Sequence, residues 1–139
     1  MSDAIKHECG IAMVRLLKPL EFYKEKYGTA FYGINKMYLL MEKQHNRGQD
    51  GAGLASIKLD VPVGRPYVKT MRNNERNPWS SLFTKVRSEL DSLKQKHPDI
   101  ETDEELVNQH FGFGGELLMG HVRYGTHGTY SIEACHPVI

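Results

Sequence analysis

The residue best placed to do chemistry is Cys9, in the run His7-Glu8-Cys9-Gly10-Ile11-Ala12. If Met1 to Glu8 were removed, its thiol and a free α-amine would share one residue. The amine titrates at roughly 7.7–8.0 and the thiol at about 8.5, so near neutrality the amine can take the thiol proton. It then replaces the histidine of a catalytic triad. In an unprocessed chain the Cys9 nitrogen is a non-basic amide and cannot do this. The plainer reading is a small buried hydrophobe at the start of a strand.

Two further polar, glycine-rich stretches could contribute. In Asn46-Arg47-Gly48-Gln49-Asp50-Gly51-Ala52-Gly53, the glycines mark an irregular loop where backbone approaches something closely. In Gly120-His121-Val122-Arg123-Tyr124-Gly125-Thr126-His127-Gly128, Arg123 comes at the end of an apolar run. A guanidinium there can hold a carboxylate through two parallel hydrogen bonds. The plainer reading of Arg123 is a structural pair with an acidic side chain.

Taken together and in this order, Cys9-Gly10-Ile11, the Gln44 to Gly53 stretch and Gly120 to Gly128 resemble the glutaminase domain of class II glutamine amidotransferases, which are N-terminal nucleophile hydrolases. The likeness extends to the Glu133 to Val138 tail. Arg47-Gly48-Gln49-Asp50-x-Ala52-Gly53 and the short leader favour the amidophosphoribosyltransferase branch. His127 is commoner in the glucosamine-6-phosphate synthase branch. The same motifs also suit a glutamate synthase type, or an inactive amidotransferase-like binding domain.

The resemblance implies an α+β fold, a four-layer αββα sandwich of which this chain is the N-terminal part. It implies a propeptide over 1–8 and an amidotransferase domain over 9–139, incomplete at its C-terminal end. Cys9 would attack the side-chain amide of glutamine, and Arg47 and Gly48 would position its amine. Arg123 would bind the substrate carboxylate, with Thr126 and His127 lining the same pocket. Ammonia would pass to a phosphoribosyltransferase domain in the same longer, homo-oligomeric protein, for transfer to phosphoribosyl diphosphate in purine synthesis. No cofactor is implied within this stretch; magnesium and an iron–sulfur cluster are expectations for the full-length protein only.

The chain departs from the family pattern at Asn46, an extra residue between His45 and Arg47. It departs again in a longer Lys18 to Gly28 segment and in an added helix within residues 60–115. The family's oxyanion Asn-Gly pair and amine-binding aspartate would follow Ile139, so the 139-residue stretch alone is expected to be inactive.

The elements that must position these residues follow from pattern. Gly10 to Leu17 is a mostly apolar run bounded by Pro19 and reads as a largely buried strand with Cys9 at its mouth. Leu20 to Tyr27 is aromatic and charged without a clear period, and Gly28 closes it. A helix begins near Thr29, with Ala30, Ile34, Met37, Tyr38, Met41 and His45 on one face. Leu54 to Leu59 and Tyr67 to Thr70 read as strands. Asn77-Pro78 caps an amphipathic helix carrying Trp79, Leu82, Phe83, Val86, Leu90 and Leu93. Thr102 and Glu105 form a capping box for a short helix through about Gln109. Phe111 to Gly115 is a turn, and Leu117 to Tyr124 is a strand. With the later strands missing, Leu54 to Leu59 and Leu117 to Tyr124 are expected to leave exposed sheet edges.

Composition narrows the class. Hydrophobic residues make up 40% and charged residues 25%, with a net charge of +1, as in an ordinary globular domain. No basic patch is interleaved with aromatics, which argues against nucleic-acid binding. No apolar run reaches the ~18 residues a membrane span needs. The histidines and Cys135 lack the paired short spacings of a zinc site. Two cysteines make no disulfide framework, so a cytoplasmic location is expected.

Overall fold

The computed structural model describes residues 9–47, 49–125 and 131–138, with only the backbone of Arg47. Four strands and four helices follow in the order β1 (Gly10–Arg15), α1 (Leu20–Tyr27), α2 (Tyr32–Gln44), β2 (Gly51–Ile57), β3 (Val68–Asn73), α3 (Pro78–Lys96), α4 (Glu104–His110) and β4 (Leu117–Arg123). The strands form one antiparallel sheet in the order β1-β4-β2-β3. The α+β class is therefore observed.

Both long helices lie on one face of that sheet. A Cβ at Gly10 would strike Gln44, and one at Gly120 would strike Met37 and Met41, so these two glycines face α2. Gly120 is paired with Leu54 on β2, and Leu54 with Met71 on β3. Lys69, two residues from Met71 and on the same face, pairs with Glu89 of α3 at 3.9 Å. Here Leu54, Leu82, Met37, Met41, Leu118 and Phe111 exclude water completely. Each such side chain contributes roughly 1.5–3 kcal/mol of burial free energy.

The opposite face is open. Ile11 is 64% exposed, Met13 62% and Met119 41%. Met13 and Met119 are direct cross-strand partners, so they form one apolar surface. The strand Gly10 to Leu17 is thus half-buried rather than largely buried. The described residues form two layers, one helical and one sheet; the four-layer sandwich is what the resemblance implies for a whole domain of which this chain is the N-terminal part. The edge expectation also fails: β2 and β4 are the two central strands, and β1 and β3 are the edges.

Several boundaries move for local reasons. Leu20 to Tyr27 is a helix after all. It buries only Leu20 and Tyr23, too narrow a stripe to read as periodic, and Gly28 ends it at φ 78°. Thr29 does not cap α2; its hydroxyl accepts the Phe31 amide at 3.0 Å just ahead of the helix. Asp103, not Thr102, caps α4, accepting the amides of Glu105 and Leu106 at 3.0 and 3.2 Å. Pro78 opens α3, after Asn77 in the left-handed region at φ 55°. Gly51, Ala52 and Gly53 belong to β2 and not to a loop.

Candidate functional site

The motif-bearing residues meet at one end of the sheet. Gly10 is paired with Val122, and Gly51 with Arg123. Cys9 directly precedes β1 and is exposed. The Tyr124 amide donates to its sulfur at 3.4 Å, and the thiol points back to the Tyr124 carbonyl at 3.7 Å. The second motif is joined to the third by Asp50. Its amide donates to the Arg123 carbonyl at 2.9 Å, and its carboxylate accepts the Gly125 amide at 2.7 Å.

Asn46 is absorbed without a bulge in the long helix. After Gln44, α2 tightens into a 3₁₀ turn over His45–Arg47, and that turn touches β4. The Arg47 backbone therefore stands at the Cys9 end. The Arg47 side chain, Gly48, Thr126 and His127 lie outside the described residues, so their expected roles have no placement.

Arg123 is buried, with 8% exposure. It shares the open side of the sheet with Gly51, where Cys135 seals the surface; a Cβ on Gly51 would strike the Cys135 sulfur. Burial pushes the Cys135 thiol up, against the opposing pull of Arg123 and Arg72.

Cys9 opens onto a cavity of about 550 Å³ on the open face, walled by Gly53, Met119, His121, His136 and Val138. Arg123 is not among the residues that line this space. His121 and His136 meet edge to face, ring centres 4.6 Å apart. The Nδ1 of His121 is out of water and has no hydrogen-bond partner among the described residues. Burial, then His136 and Arg123, hold its imidazole below the usual histidine range, so it is neutral at pH 7.

These two histidines were not singled out by sequence reasoning. The signal was present: His121 and Arg123 are two apart on one strand and so share a face. The arrangement offers an exposed sulfur nucleophile held by backbone, on the cavity that His121 and His136 also line. Among the described residues the hydrogen-bond partners of the thiol are backbone atoms of Tyr124, and no side-chain base is one of them. Nor do the described residues contain a cluster of three or more metal-ligating side chains. No helix of the described residues is long and apolar enough to cross a membrane. No protein-family model and no solved structure matches the chain.

Proposed function

We propose that this chain is the glutaminase part of an amidophosphoribosyltransferase, with Cys9 as its N-terminal nucleophile. The observation that carries the reading is the Cys9 sulfur on the Tyr124 backbone, at the sheet end where Asp50 ties the second motif to the third. A nucleophile whose partners among the described residues are backbone atoms suits one that brings its own amine.

The chemistry follows from that pairing. Cleavage of the Glu8–Cys9 bond frees the α-amine. The amine takes the thiol proton, and the sulfur attacks the side-chain carbonyl carbon of glutamine. The same proton returns to the departing nitrogen, releasing ammonia and leaving a glutamyl thioester. Water cleaves the thioester to glutamate and restores the thiol. Arg123 holds the substrate carboxylate, and ammonia goes on to phosphoribosyl diphosphate. The open face with Ile11, Met13 and Met119 fits one half of an αββα sandwich, with a second sheet lying on it.

The test uses active protein from its native host. N-terminal sequencing should begin Cys-Gly-Ile-Ala, and a diazo-ketone glutamine analogue should label Cys9 alone. Ammonia release should depend on glutamine and rise with phosphoribosyl diphosphate. Active enzyme starting at Met1 or Ser2 overturns the mechanism. Labelling with a different acceptor requirement points to another class II amidotransferase. No processing and no labelling points to an inactive binding domain.

A further inference from the structure

Ser131 to Val138 runs across the open face of the sheet as a strap. It lies directly on β2: a Cβ at Gly53 would coincide with the His136 carbonyl, and one at Gly51 would strike the Cys135 sulfur. Cys135 is fully buried there, its thiol directed at the Asn73 carbonyl, 3.9 Å away. His136 leans on His121 of β4.

The strap covers a concentration of positive charge. His121 pairs through Gly53 with Arg72 of β3, so His121 and Arg72 stand in one cross-strand row. Arg123 is on the same face, two residues along β4. From β1 this face receives Ile11, Met13 and, at the far end opposite Leu117, Arg15, with Cys9 just ahead of the strand; from β2 it receives only glycine, alanine and isoleucine. The strap itself supplies Glu133, Cys135 and His136. Glu133 is held ionised by its own backbone amide, by Ser131 and by Arg72. Asp50, at the strand end, is taken by the Gly125 amide.

A proton on His121 has no good place in this arrangement. The cation needs both ring N–H groups satisfied, yet Nδ1 is sealed from water without an acceptor among the described residues. It would also face His136 and Arg123. With the strap away, water reaches the ring and its Nδ1, and His136 leaves with the strap, whereas Arg123 stays beside His121 on the sheet. The proton thus binds the open state better, and a ligand with that preference shifts the population toward it.

We propose that the Ser131–Val138 strap is an acid-released cover, lifted from the sheet by protonation of His121 and exposing the Cys135 thiol. This does not depend on the amidotransferase reading. The direction is fixed by linkage: release sets in as pH falls below the ordinary histidine value near 6.5 and grows up to about tenfold per pH unit until the closed form also protonates.

The readout is the reactivity of Cys135 in the intact chain carrying Cys9→Ser, which leaves one thiol. An aromatic pyridyl disulfide stays reactive in acid, and the rate in urea at each pH supplies the reference. Trp79 emission reports whether the fold persists. The expected result is strong protection at neutral pH that falls progressively below about pH 6.5 with Trp79 unchanged. His121→Phe, which keeps a ring and loses the proton site, should stay protected in acid. His121→Gln gives the same comparison if the phenylalanine variant does not fold. Gly53→Ala should be unprotected at every pH. Protection independent of pH, equal acid loss in the His121 variants, or loss only together with the Trp79 change would overturn the proposal.

Discussion

The carboxylate of Asp50 accepts the backbone amide of Gly125 at 2.7 Å, across 75 positions of sequence. This bond and the Asp50 amide on Arg123 fix where β4 ends relative to β2. Asp50→Ala should therefore lower stability by about 1–3 kcal/mol, the usual cost of stranding a half-buried donor that had a charged acceptor. Asp50→Asn keeps an acceptor and should cost less. Urea titration of the three proteins orders them. Equal stability of all three would show that the amide finds water instead.

Arg123→Lys keeps the charge and loses the paired geometry. On the amidotransferase reading, KM for glutamine should rise while activity with free ammonia is spared. Because Arg123 is buried beside Cys135, a structural role predicts something else: both activities fall together. Steady-state kinetics with each nitrogen source separates the two.

Lys58 is nearly buried and donates to the carbonyls of Val107 and Asn108 at the end of α4, both at 2.8 Å. Burial lowers its pKa to about 8, against the opposing pull of Glu116. The folded value lies below the unfolded one, so between about 8 and 10.5 the unfolded chain holds the extra proton. Stability should rise with pH across that window and be lost again as pH falls through about 8. The whole span is on the order of 3 kcal/mol. Lys58→Met should flatten that slope relative to wild type in denaturant titrations between those limits. An unchanged slope would assign the titration to another group.

Residues 9–139 alone, starting at Cys9, should release no more ammonia from glutamine than a Cys9→Ala control. On the proposed reading the oxyanion donors come from a strand after Val138, and losing one such donor costs about 10²–10³ in rate. A chain extended through the rest of the domain is the comparison. Comparable rates would place the oxyanion hole within residues 9–139.

How much of this was legible beforehand depended on the range of the signal. The α2 and α3 stripes were readable because Met37, Met41, Leu82 and Val86 repeat at helical spacing and all are buried. Helix α1 was not, since it buries only Leu20 and Tyr23 while the aromatic Tyr27, stacked on Tyr32, stays exposed and leaves no simple polar face. The glycines of β2 read as loop residues because their reason for being small lies in the strap, more than 80 positions away. The pairing of Cys9 with Tyr124 and of His121 with His136 depends on strand register and on a chain crossing, which local periodicity does not encode.

The clearance between α2 and the sheet has a mechanical consequence. Gly10 and Gly120 leave room on the sheet for Gln44, Met37 and Met41 of α2, and Gly33 leaves room on the helix for Leu118 and Leu16. A helix of 13 residues is a stiff rod of roughly 20 Å. Its far end carries the 3₁₀ turn with Arg47 to the neighbourhood of Cys9. A methyl group added at any of these glycines must displace those side chains, and where they cannot yield it acts as a shim under the rod. Variation at Gly33, near the opposite end of the rod from that turn, would thus change the alignment of the nucleophile without touching it.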